Sequence, residues 1–346
     1  MERILVVTNC LTGGGAERSM NLLVNELHSR GEIVALLPIN ESGEDLVKPL
    51  CPIFPLGRKW KGGVYGFIKS YFRFIRVIGR WKPTVIILNC DLPELFGALC
   101  IRRLHRIVVV EHTNHPFAKR IILGKLIRKT LILKKSEFVA VSSHLEIWQG
   151  LNKTKIVMLN SIHFHPEHHL ELEKNSALEL KTIYFVGRLA TTQKRPQIML
   201  DIAAQFNGKV MIIGDGEAKG EIQQRIIRDS LNVELLGYVK DPWQLMTKED
   251  ILIVPSLFEG DGMVVIEAIS RNLPILLSDI PDFRRFGFPN SNYCAEPADF
   301  AQRLTEYRLQ INHLRIPSET RKELLDSRTP KSVGDKWIAY LKATKE

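Results

Sequence analysis

Short runs of apolar residues alternate with amphipathic stretches along most of the chain. The first run, residues 3–8 (RILVVT), is rich in β-branched residues and predicts a buried strand. Residues 15–31 follow with apolar positions on one helical face and predict a helix that ends at Gly31. Further strands are predicted at 32–39, 84–89, 106–113, 137–143 and 155–160. Because strands and helices alternate, we expect a parallel sheet that is covered on both faces.

A polar break separates this series from a second one. Residues 161–181 are polar, rich in histidine and aperiodic, which is typical of a linker between domains. Beyond the linker, strands are predicted at 182–189, 209–216, 233–239, 250–256 and 273–279. A chain of 346 residues is also long for a single core. The pattern therefore predicts two doubly wound α/β domains that face each other, with ligands at the carboxyl ends of their strands.

The composition narrows the class of protein. With 45% hydrophobic and 25% charged residues, the chain is typical of a globular protein. Its five cysteines include no C-x-x-C pair, which argues against disulfides or a zinc site and favours a reducing compartment. The histidines of the linker are better explained as solvated residues than as metal ligands. Since we find neither a signal peptide nor a membrane span, we expect a soluble or peripheral cytoplasmic protein that uses no metal.

The formal net charge of +10 indicates an anionic partner, and two acid-free basic stretches concentrate it. One runs from Arg58 to Lys82 with aromatic residues interleaved, and the other runs from Lys119 to Lys135. Basic helices that also carry apolar residues suit an anionic membrane surface, and nucleic acid could use the same side chains. The alternative is a pair of packed helices with solvated basic faces. We expect the membrane contact, and we do not expect nucleic acid as a partner.

Polar and glycine residues follow several of the predicted strands. Gly13, Gly14 and Gly15 open the first helix, where free N–H groups can bind an anion, although a plain tight turn is an equally good explanation. The loop matches neither G-x-G-x-x-G nor the P-loop pattern. His112 ends a buried strand and could donate a hydrogen bond to a sugar hydroxyl or a phosphate. Taken alone, it is better explained as an ordinary loop histidine.

The second domain has more of these candidates. Arg188 lies just after a strand and Lys194 lies near the start of a helix, and two cations at a strand end suit a diphosphate. Gly214 belongs to another strand-to-helix turn. Glu259 follows a strand and Glu267 lies in the first turns of the next helix, so both carboxylates could accept hydrogen bonds from sugar hydroxyls. The N–H groups of Gly260, Asp261, Gly262 and Met263 could bind hydroxyls or a phosphate.

These motifs together resemble glycosyltransferase family 4, whose members are retaining enzymes of the GT-B fold. The motif "EGDGMVVIE", followed by "AISRNLPIL", resembles the Glu-seven residues-Glu pattern of that family. "FVGRL" with a lysine six residues after its arginine, "IGDG", "LLGYV" and "TGGGAERSMNLL" are further matches, and they extend from about residue 4 to residue 276. The resemblance implies two Rossmann-like domains around a central cleft. It places an acceptor-binding domain at 1–165, a linker at 166–181, a nucleotide-sugar-binding domain at 182–328 and a helix at 329–346 that crosses back to the first domain.

The resemblance also assigns roles to the candidate residues. Arg188 and Lys194 would hold the diphosphate of a nucleotide-sugar donor, beside Gly14, Gly15 and Gly214. Glu259 would contact the transferred sugar and Glu267 the ribose, and His112 would also contact the sugar. Two positions depart from the family pattern: Asp261 replaces an apolar residue, which could indicate an unusual sugar, and Asn272 replaces a glycine, which we interpret as a tolerated change in a turn.

The expected activity is a metal-independent, retaining transfer of a sugar from a nucleotide-diphospho-sugar. The acceptor would be a glycan or a lipid-linked glycan in bacterial-type polysaccharide or lipopolysaccharide synthesis, and no cofactor would be needed. A different class of function stays open, namely a non-catalytic membrane- or nucleic-acid-associated protein on a degenerate GT-B scaffold. That alternative explains the basic stretches but gives no reason for the complete set of Arg, Lys and Glu residues. A hydrolase or phosphorylase of the same fold is less favoured, because no lysine of the pyridoxal type stands out.

Overall fold

The chain divides into two compact units. Unit 1 consists of residues 1–163 and 327–346, and unit 2 of residues 164–326. In this computed structural model, the described residues are 2–12, 14–43, 47–59, 63–100, 106–113, 117, 120–143, 145, 156–163 and 179–343. Gly13 and most of the predicted linker therefore lie outside the described residues.

Unit 1 contains a parallel sheet whose described strands have the order β2-β1-β3-β4-β5-β6. The strands are β1 (Arg3–Thr8), β2 (Ile33–Pro38), β3 (Val85–Asn89), β4 (Arg106–Glu111), β5 (Glu137–Ala140) and β6 (Ile156–Val157). Every residue of β3 is buried, which explains why such strands are visible in the sequence as unbroken apolar runs. The strand predicted at 155–160 is reduced to two residues, because β6 is an edge strand that pairs only with β5 among the described strands.

The helices of unit 1 cover both faces of this sheet. They include α1 (Gly15–Ser29), α2 (Gly63–Trp81), α3 (Asp91–Leu99) and α4 (Ile121–Leu133). The buried residues of α2, α3 and α4 share one apolar core cluster, as Phe74, Phe96 and Leu131 illustrate. Residues of α1 belong to a second cluster on the other face. Helices α2 and α4 thus lie on the same face of the sheet, a point that matters for their exposed surfaces.

Unit 2 has a parallel sheet with the described strand order β12-β11-β10-β7-β8-β9. The strands are β7 (Thr182–Val186), β8 (Lys209–Ile213), β9 (Val233–Gly237), β10 (Asp250–Val254), β11 (Ile275–Ser278) and β12 (Tyr293–Cys294). The helices are α5 (Ile198–Ala203), α6 (Lys219–Arg228), α7 (Met263–Ser270), α8 (Pro281–Arg284), α9 (Pro297–Glu306) and α10 (Ser318–Asp326). This strand order is that of a doubly wound nucleotide-binding domain.

The last helix, α11 (Pro330–Ala343), belongs to unit 1. Its side chains Val333, Trp337, Tyr340 and Leu341 are buried in the same core cluster as the apolar face of α1. Two hydrogen bonds to backbone carbonyls fasten the helix, from Arg30 Nη2 to Lys331 O (2.9 Å) and from Arg106 Nη1 to Leu341 O (2.7 Å). The final helix is therefore an integral part of the first core.

Each sheet changes its direction of growth at one pair of strands. In unit 1 the strand β1 lies between β2 and β3, and in unit 2 the strand β7 lies between β8 and β10. At such a point the loops at the carboxyl ends of two neighbouring strands leave toward opposite faces and open a crevice for a ligand. Gly14 follows β1, Arg188 follows β7 and Glu259 follows β10, so these residues lie at the two points. His112 and Gly214 follow β4 and β8, each one strand farther along its sheet.

Two further features concern the described residues as a group. None of the helices in the described ranges is long and apolar enough to cross a membrane. The same part of the chain contains no cluster of three or more His, Cys, Asp or Glu side chains with the geometry of a metal site.

Candidate active site

The loops that follow β7 and β10 are hydrogen-bonded to each other in unit 2. Leu257 N donates to Gln193 O (2.8 Å), and Arg195 Nε donates to Pro255 O (2.6 Å). The two loops therefore form one polar surface at the carboxyl edge of the sheet. This surface contains Arg188, Lys194 and Glu259, whereas Glu267 lies on the helix that follows.

Glu259 and Lys194 form an ion pair on this surface. Ser256 Oγ also donates to the Glu259 carboxylate (2.7 Å), and Glu259 N donates to Asp282 Oδ2 (2.6 Å). Glu259 is only 6% exposed, whereas the side chain of Lys194 is 20% exposed. The structure thus fixes a carboxylate and a cation side by side, the combination that a ligand with both hydroxyl and phosphate groups requires.

Arg188 lies two residues beyond the end of β7 and is exposed. Within the described ranges, its guanidinium has no ion pair and no side-chain hydrogen bond. An exposed guanidinium in the loop that also contains Lys194 is available to an anion, and it can bind two phosphate oxygens at once.

The side chain of Asp261 is buried and paired with another side chain of the protein. Its side chain is 1% exposed and pairs with Arg285 Nη2 (2.9 Å), which also donates to the backbone carbonyl of Asp261 (2.7 Å). The Arg285 guanidinium lies over the ring of Phe286, 4.3 Å from its centroid. Asp261, which departs from the pattern of the family that the chain resembles, therefore holds the loop in place through Arg285. We expect any influence of Asp261 on the choice of sugar to depend on this pair.

Glu267 lies on α7, which begins directly after Gly262 in the left-handed conformation (φ +58°). Its carboxylate accepts a hydrogen bond from Trp243 Nε1 (3.0 Å), and Trp243 belongs to the 3-10 turn Pro242–Leu245 that follows β9. This contact fixes the carboxylate relative to the end of β9. Gly260 and Asp261 are buried, and Met263 is partly buried.

Gly214 is required by the protein backbone itself. It has a φ of +143°, and a Cβ atom at this position would lie 1.8 Å from Gly187 O. Gly214 N donates to Gly237 O (2.8 Å), and Gly187 N donates to Ile213 O (3.0 Å). The close approach that the sequence predicts at this glycine is thus made to the loop that positions Arg188.

In unit 1, His112 follows β4 and is bound to the end of β3. Its Nε2 lies 2.6 Å from Asn89 Oδ1, and Asn89 Nδ2 lies 3.3 Å from Thr8 Oγ1. Because an amide oxygen only accepts hydrogen bonds, Nε2 is the donor and the histidine is held in one orientation. A chain of polar contacts therefore connects the ends of β1, β3 and β4.

The glycine loop precedes α1 in the same unit. Gly14 is the residue before the helix and has extended backbone, and no side chain caps this helix end. A Cβ atom at Gly14 would lie 3.1 Å from Glu17 Oε2, so the Glu17 carboxylate is close to the loop. Gly15 begins the helix. The site residues that belong to unit 1 are thus Gly14, Gly15 and His112.

A buried ionic cluster lies behind His112. Arg128 on α4 pairs with Glu111 at the end of β4 and with Glu94 on α3 (Nε to Oε2, 2.7 Å), and all three side chains are at most 2% exposed. Burial raises the pKa of Glu94 well above its usual range, and nearby carboxylates add to this shift while Arg128 opposes it. The sequence wrongly placed Arg128 on the basic surface between Lys119 and Lys135. Arg128 faces inward because two carboxylates bind it there.

The remaining basic side chains of α2 and α4 are mostly exposed, with large apolar residues beside them. The exposed apolar residues on the two helices are Val64, Tyr65, Ile68 and Phe72 on α2 and Ile121, Ile122, Leu123, Leu126, Ile132 and Leu133 on α4. Lys134 instead turns inward and donates to the carbonyls of Gly97 (3.0 Å) and Cys100 (2.7 Å). This face of unit 1 combines cations with exposed apolar side chains, as the sequence predicts.

The sequence analysis missed several residues that contact the predicted site residues of unit 1 and unit 2. Asp282 and Arg285 hold the loop of Glu259 and follow β11, and Asn89 is the last residue of β3. The rule that ligand-binding residues follow the carboxyl ends of strands could have selected all three. Trp243 carries no comparable signal, since its contact with Glu267 depends on the path of an irregular segment.

Comparison with known sequences points to one enzyme class. Residues 180–309, all within unit 2, match the family described as "Glycosyl transferases group 1". An uncharacterized glycosyltransferase of Methanocaldococcus jannaschii, MJ1059, is 25% identical over 62% of this chain and 60% of its own length. The chain thus spans less than two thirds of that relative.

Two further relatives have named activities. One is the GalNAc-α-(1→4)-GalNAc-α-(1→3)-diNAcBac-PP-undecaprenol α-1,4-N-acetyl-D-galactosaminyltransferase of Campylobacter jejuni, which is 26% identical over 78% of this chain and 77% of its own length. The other is the UDP-Gal:α-D-GlcNAc-diphosphoundecaprenol α-1,3-galactosyltransferase of Escherichia coli, which is 24% identical over 67% of this chain and 65% of its own length.

Solved structures agree with this comparison at the level of the fold. The sucrose-phosphate synthase of Thermosynechococcus elongatus matches with a TM-score of 0.76 at 14% identity, over 99% of this chain and 98% of that chain. TarM of S. aureus, solved with UDP, matches with a TM-score of 0.74 at 14% identity, over 99% and 100% of the two chains. The predicted GT-B fold, with two Rossmann-like domains, is confirmed.

Proposed function

We propose that the protein is a glycosyltransferase that moves a sugar from a nucleotide-diphospho-sugar to a glycan or lipid-linked acceptor in polysaccharide or lipopolysaccharide synthesis. The observation that carries this proposal is the Lys194–Glu259 pair, together with the exposed Arg188 in the loop that follows β7. This surface provides cations for a diphosphate and carboxylates for hydroxyl groups. The similarity to group 1 glycosyl transferases supports the same class, and the names of two relatives favour a lipid-linked glycan.

In the proposed reaction, the bond between the anomeric carbon and the donor phosphate breaks, and its electron pair leaves with the diphosphate. Arg188 and Lys194 stabilise this developing negative charge without a metal ion. The acceptor oxygen forms the new bond on the face from which the phosphate departs, so the configuration is retained. Its proton passes to an oxygen of the leaving phosphate. No side chain is then needed as a general base.

The other residues have supporting roles in this proposal. Glu259 binds hydroxyls of the transferred sugar, and Glu267 binds the ribose from a position fixed by Trp243. In unit 1, His112 contacts the sugar, and the N–H groups near Gly14 and Gly15 lie beside the diphosphate. Gly214 supports the Arg188 loop through its contact with Gly187. These assignments are those that the resemblance to family 4 implies.

The test is sugar transfer with a panel of UDP- and GDP-sugars by wild type and by Lys194→Ala, Arg188→Ala and Glu259→Gln. We expect kcat/KM to fall by about 100-fold or more in each variant, since each removes a charge from a preorganised site. Lys209→Ala is the matched control, because Lys209 forms an exposed pair with Glu234 in the same unit (2.7 Å). Full transfer by both Lys194→Ala and Glu259→Gln would contradict the proposal.

The non-catalytic alternative finds no support among the similar proteins whose activities are named. It makes a different prediction in a simple titration. A transferase should be stabilised thermally by the nucleotide of its donor, because a ligand that binds only the folded state raises its melting temperature. Absence of a thermal shift with every nucleotide, including UDP and GDP, would favour the alternative.

We also propose that the protein works at the cytoplasmic face of a membrane, with α2 and α4 toward the lipid. Cations beside exposed apolar residues favour an anionic interface. None of the five cysteines, which all lie in the described residues, is part of a disulfide, in keeping with a reducing compartment. Flotation with phosphatidylglycerol vesicles should recover the protein, and neutral phosphatidylcholine vesicles should recover much less. Equal failure to bind both vesicle types would contradict this location.

A further inference from the structure

Arg195 follows Lys194 in the loop after β7, and its side chain binds the ends of two other strands. Its Nε donates to Pro255 O (2.6 Å), the first residue after β10. Its Nη2 donates to Ser278 Oγ (3.0 Å), the last residue of β11. Because β10 lies between β7 and β11 in the sheet, this one side chain joins the β7 loop to both of the next two strands.

The backbone of Arg195 adopts a conformation that is rare for an arginine. Its φ is +49°, in the left-handed region that the Cβ atom disfavours. Such strain persists only where the surrounding structure holds it, and it is concentrated at functional sites. The two guanidinium hydrogen bonds oppose the strain here, together with a backbone bond from Arg195 N to Ala190 O (3.2 Å).

The guanidinium is also placed without a counter-charge in contact. Burial lowers the pKa of Arg195, while the more distant Glu296 opposes this change. Within the described ranges, no carboxylate forms an ion pair with Arg195. Its position is therefore set by the carbonyl of Pro255 and the hydroxyl of Ser278, which are the oxygen atoms that a planar fork of N–H donors can bind together.

The turn that contains Arg195 also determines the position of Lys194. The N–H groups of Lys194 and Arg195 both donate to Ala190 O (2.9 and 3.2 Å), so the two residues belong to one tight turn. Lys194 pairs with Glu259, and Arg195 binds Pro255 in the same partner loop. A displacement of Arg195 would therefore move the Lys194 ammonium relative to the Glu259 carboxylate.

The contact with Pro255 acts on the other member of the ion pair as well. Pro255 immediately precedes Ser256, whose Oγ donates to the Glu259 carboxylate (2.7 Å). Arg195 thus binds the backbone directly beside one of the groups that hold Glu259. Both members of the Lys194–Glu259 pair are connected to Arg195 through one or two residues.

We propose that Arg195 is a positioning residue that keeps Lys194 in place for the diphosphate of the donor. The inference rests on the proposed function, because that function assigns the diphosphate to Lys194. Arg195 itself does not contact the donor in this proposal; it acts through the turn that it shares with Lys194 and through its bond to Pro255. A cation that is fixed before the donor binds can stabilise the leaving diphosphate without reorganisation.

A double-mutant cycle on nucleotide binding is the first test. Affinities for UDP and GDP are measured by calorimetry for wild type, Lys194→Ala, Arg195→Gly and the double variant. Glycine removes the side chain and accepts the positive φ. Each single variant should bind the nucleotide that wild type prefers about tenfold more weakly. The double variant should bind within about twofold of Lys194→Ala, because Arg195 then has no ammonium to position. Effects that multiply in the double variant would overturn the inference.

A kinetic test uses the same conservative substitution at two arginines of unit 2. Arg315 also binds a backbone carbonyl and a side-chain oxygen, since its Nη2 donates to Lys248 O (2.7 Å) and its Nε to Asn312 Oδ1 (3.0 Å). Lysine keeps the charge at either position but lacks the fork of donors. We expect Arg195→Lys to lower kcat about tenfold. Arg315→Lys should lower the melting temperature and leave kcat within about twofold of wild type, since it is a purely structural change.

Equal losses of kcat in Arg195→Lys and Arg315→Lys would overturn the inference, because they would indicate a general loss of structure. The measurements also separate the inference from the proposed function. If wild type transfers sugar and both Arg195 variants match its kcat, the inference fails and the proposed function holds. If UDP or GDP binds with the expected coupling but no donor supports transfer, the proposed function fails and the positioning role holds. Failure of wild type to bind either nucleotide would contradict both.

Discussion

Gly214 illustrates how a residue selected for ligand chemistry can also be required by the fold. We expect Gly214→Ala to destabilise unit 2 severely, because its Cβ atom would lie 1.8 Å from Gly187 O and φ is +143°. Thermal unfolding should show the loss, together with weaker donor binding. Gly220→Ala is the control: that glycine lies in α6 with open space around it, so alanine should stabilise by about 0.5–1 kcal/mol. An unchanged melting temperature of Gly214→Ala would contradict the close approach of Gly214 to Gly187.

Arg128 is buried, although its place in a basic stretch predicted an exposed position. Its neighbours in the chain are basic and apolar, and its two partners Glu94 and Glu111 come from α3 and β4. We expect Arg128→Met to cost about 3–5 kcal/mol of unfolding free energy, because two buried carboxyls lose their cation. Lys129→Met, at an exposed position of the same helix, should cost little. Urea denaturation of both variants checks this difference, and similar costs would argue against the buried cluster.

The same cluster predicts a pH dependence. Burial raises the pKa of Glu94 above the value of an unfolded glutamate, so the folded state binds more protons once the pH exceeds about 4.5. Stability from this group therefore falls as the pH rises through the folded pKa. Glu94→Gln does not titrate, so its unfolding free energy should increase relative to that of wild type as the pH rises above about 4.5. A constant difference across that range would show that Glu94 does not titrate there.

Some residues of the candidate site could be predicted from the sequence, but the residues that hold them in place could not. The rule of strand ends selected Lys194 and Glu259, and the structure brings them into contact. It did not reveal that Asp282 and Arg285 hold the same loop, since such pairings join separate elements. The roles of these residues toward a donor stay predictions.

At the scale of single elements, the end of α7 provides a test of the interpretation that Asn272 is a tolerated change in a turn. Asn272 stands where the family that the chain resembles has a glycine, and it has a φ of +57° just after α7 and its capping residue Arg271. Asparagine tolerates this left-handed conformation, whereas β-branched residues do not. We expect Asn272→Val to cost about 1–2 kcal/mol, and Asn272→Gly to be neutral within about 0.5 kcal/mol. Thermal unfolding of the two variants gives the comparison, and equal stability would contradict the strain argument.

The strands were predictable because buried parallel strands form unbroken apolar runs. Strand ends were less certain: the segment predicted at 155–160 contains only the two-residue strand β6. The existence of α2 followed from its amphipathic pattern, whereas the structure was needed to show that Phe74 and Ile78 are buried and Tyr65 and Phe72 are exposed. Periodicity thus predicts which elements form, and the contacts of each element decide their bounds and their exposed faces.

For the whole molecule, the alternation of strands and helices was sufficient to predict two doubly wound domains. The alternation contains no information on which unit the last helix joins, and its place followed only from the resemblance. In the structure α11 contributes Trp337, which is 1% exposed, to the core of unit 1. The first core is therefore built from two separate parts of the chain, whereas the second core comes from one continuous part.

This difference makes a prediction about fragments. Fragment 164–326 should fold alone, because all residues of its core cluster come from this one continuous segment. Fragment 1–163 should not, since it lacks Val333, Trp337, Tyr340 and Leu341 from the core that contains α1. Joining residues 163 and 327 by a short Gly-Ser linker should restore folding, because Ile162 N donates to Arg328 O (3.1 Å) and holds the two segments together.

Near-UV circular dichroism and cooperative urea unfolding distinguish these outcomes. The linked fragment should give a native-like spectrum and a single transition, and Trp337→Ala in that fragment should cost about 3–5 kcal/mol. Cooperative unfolding of fragment 1–163 alone would contradict the placement of α11 in the first core.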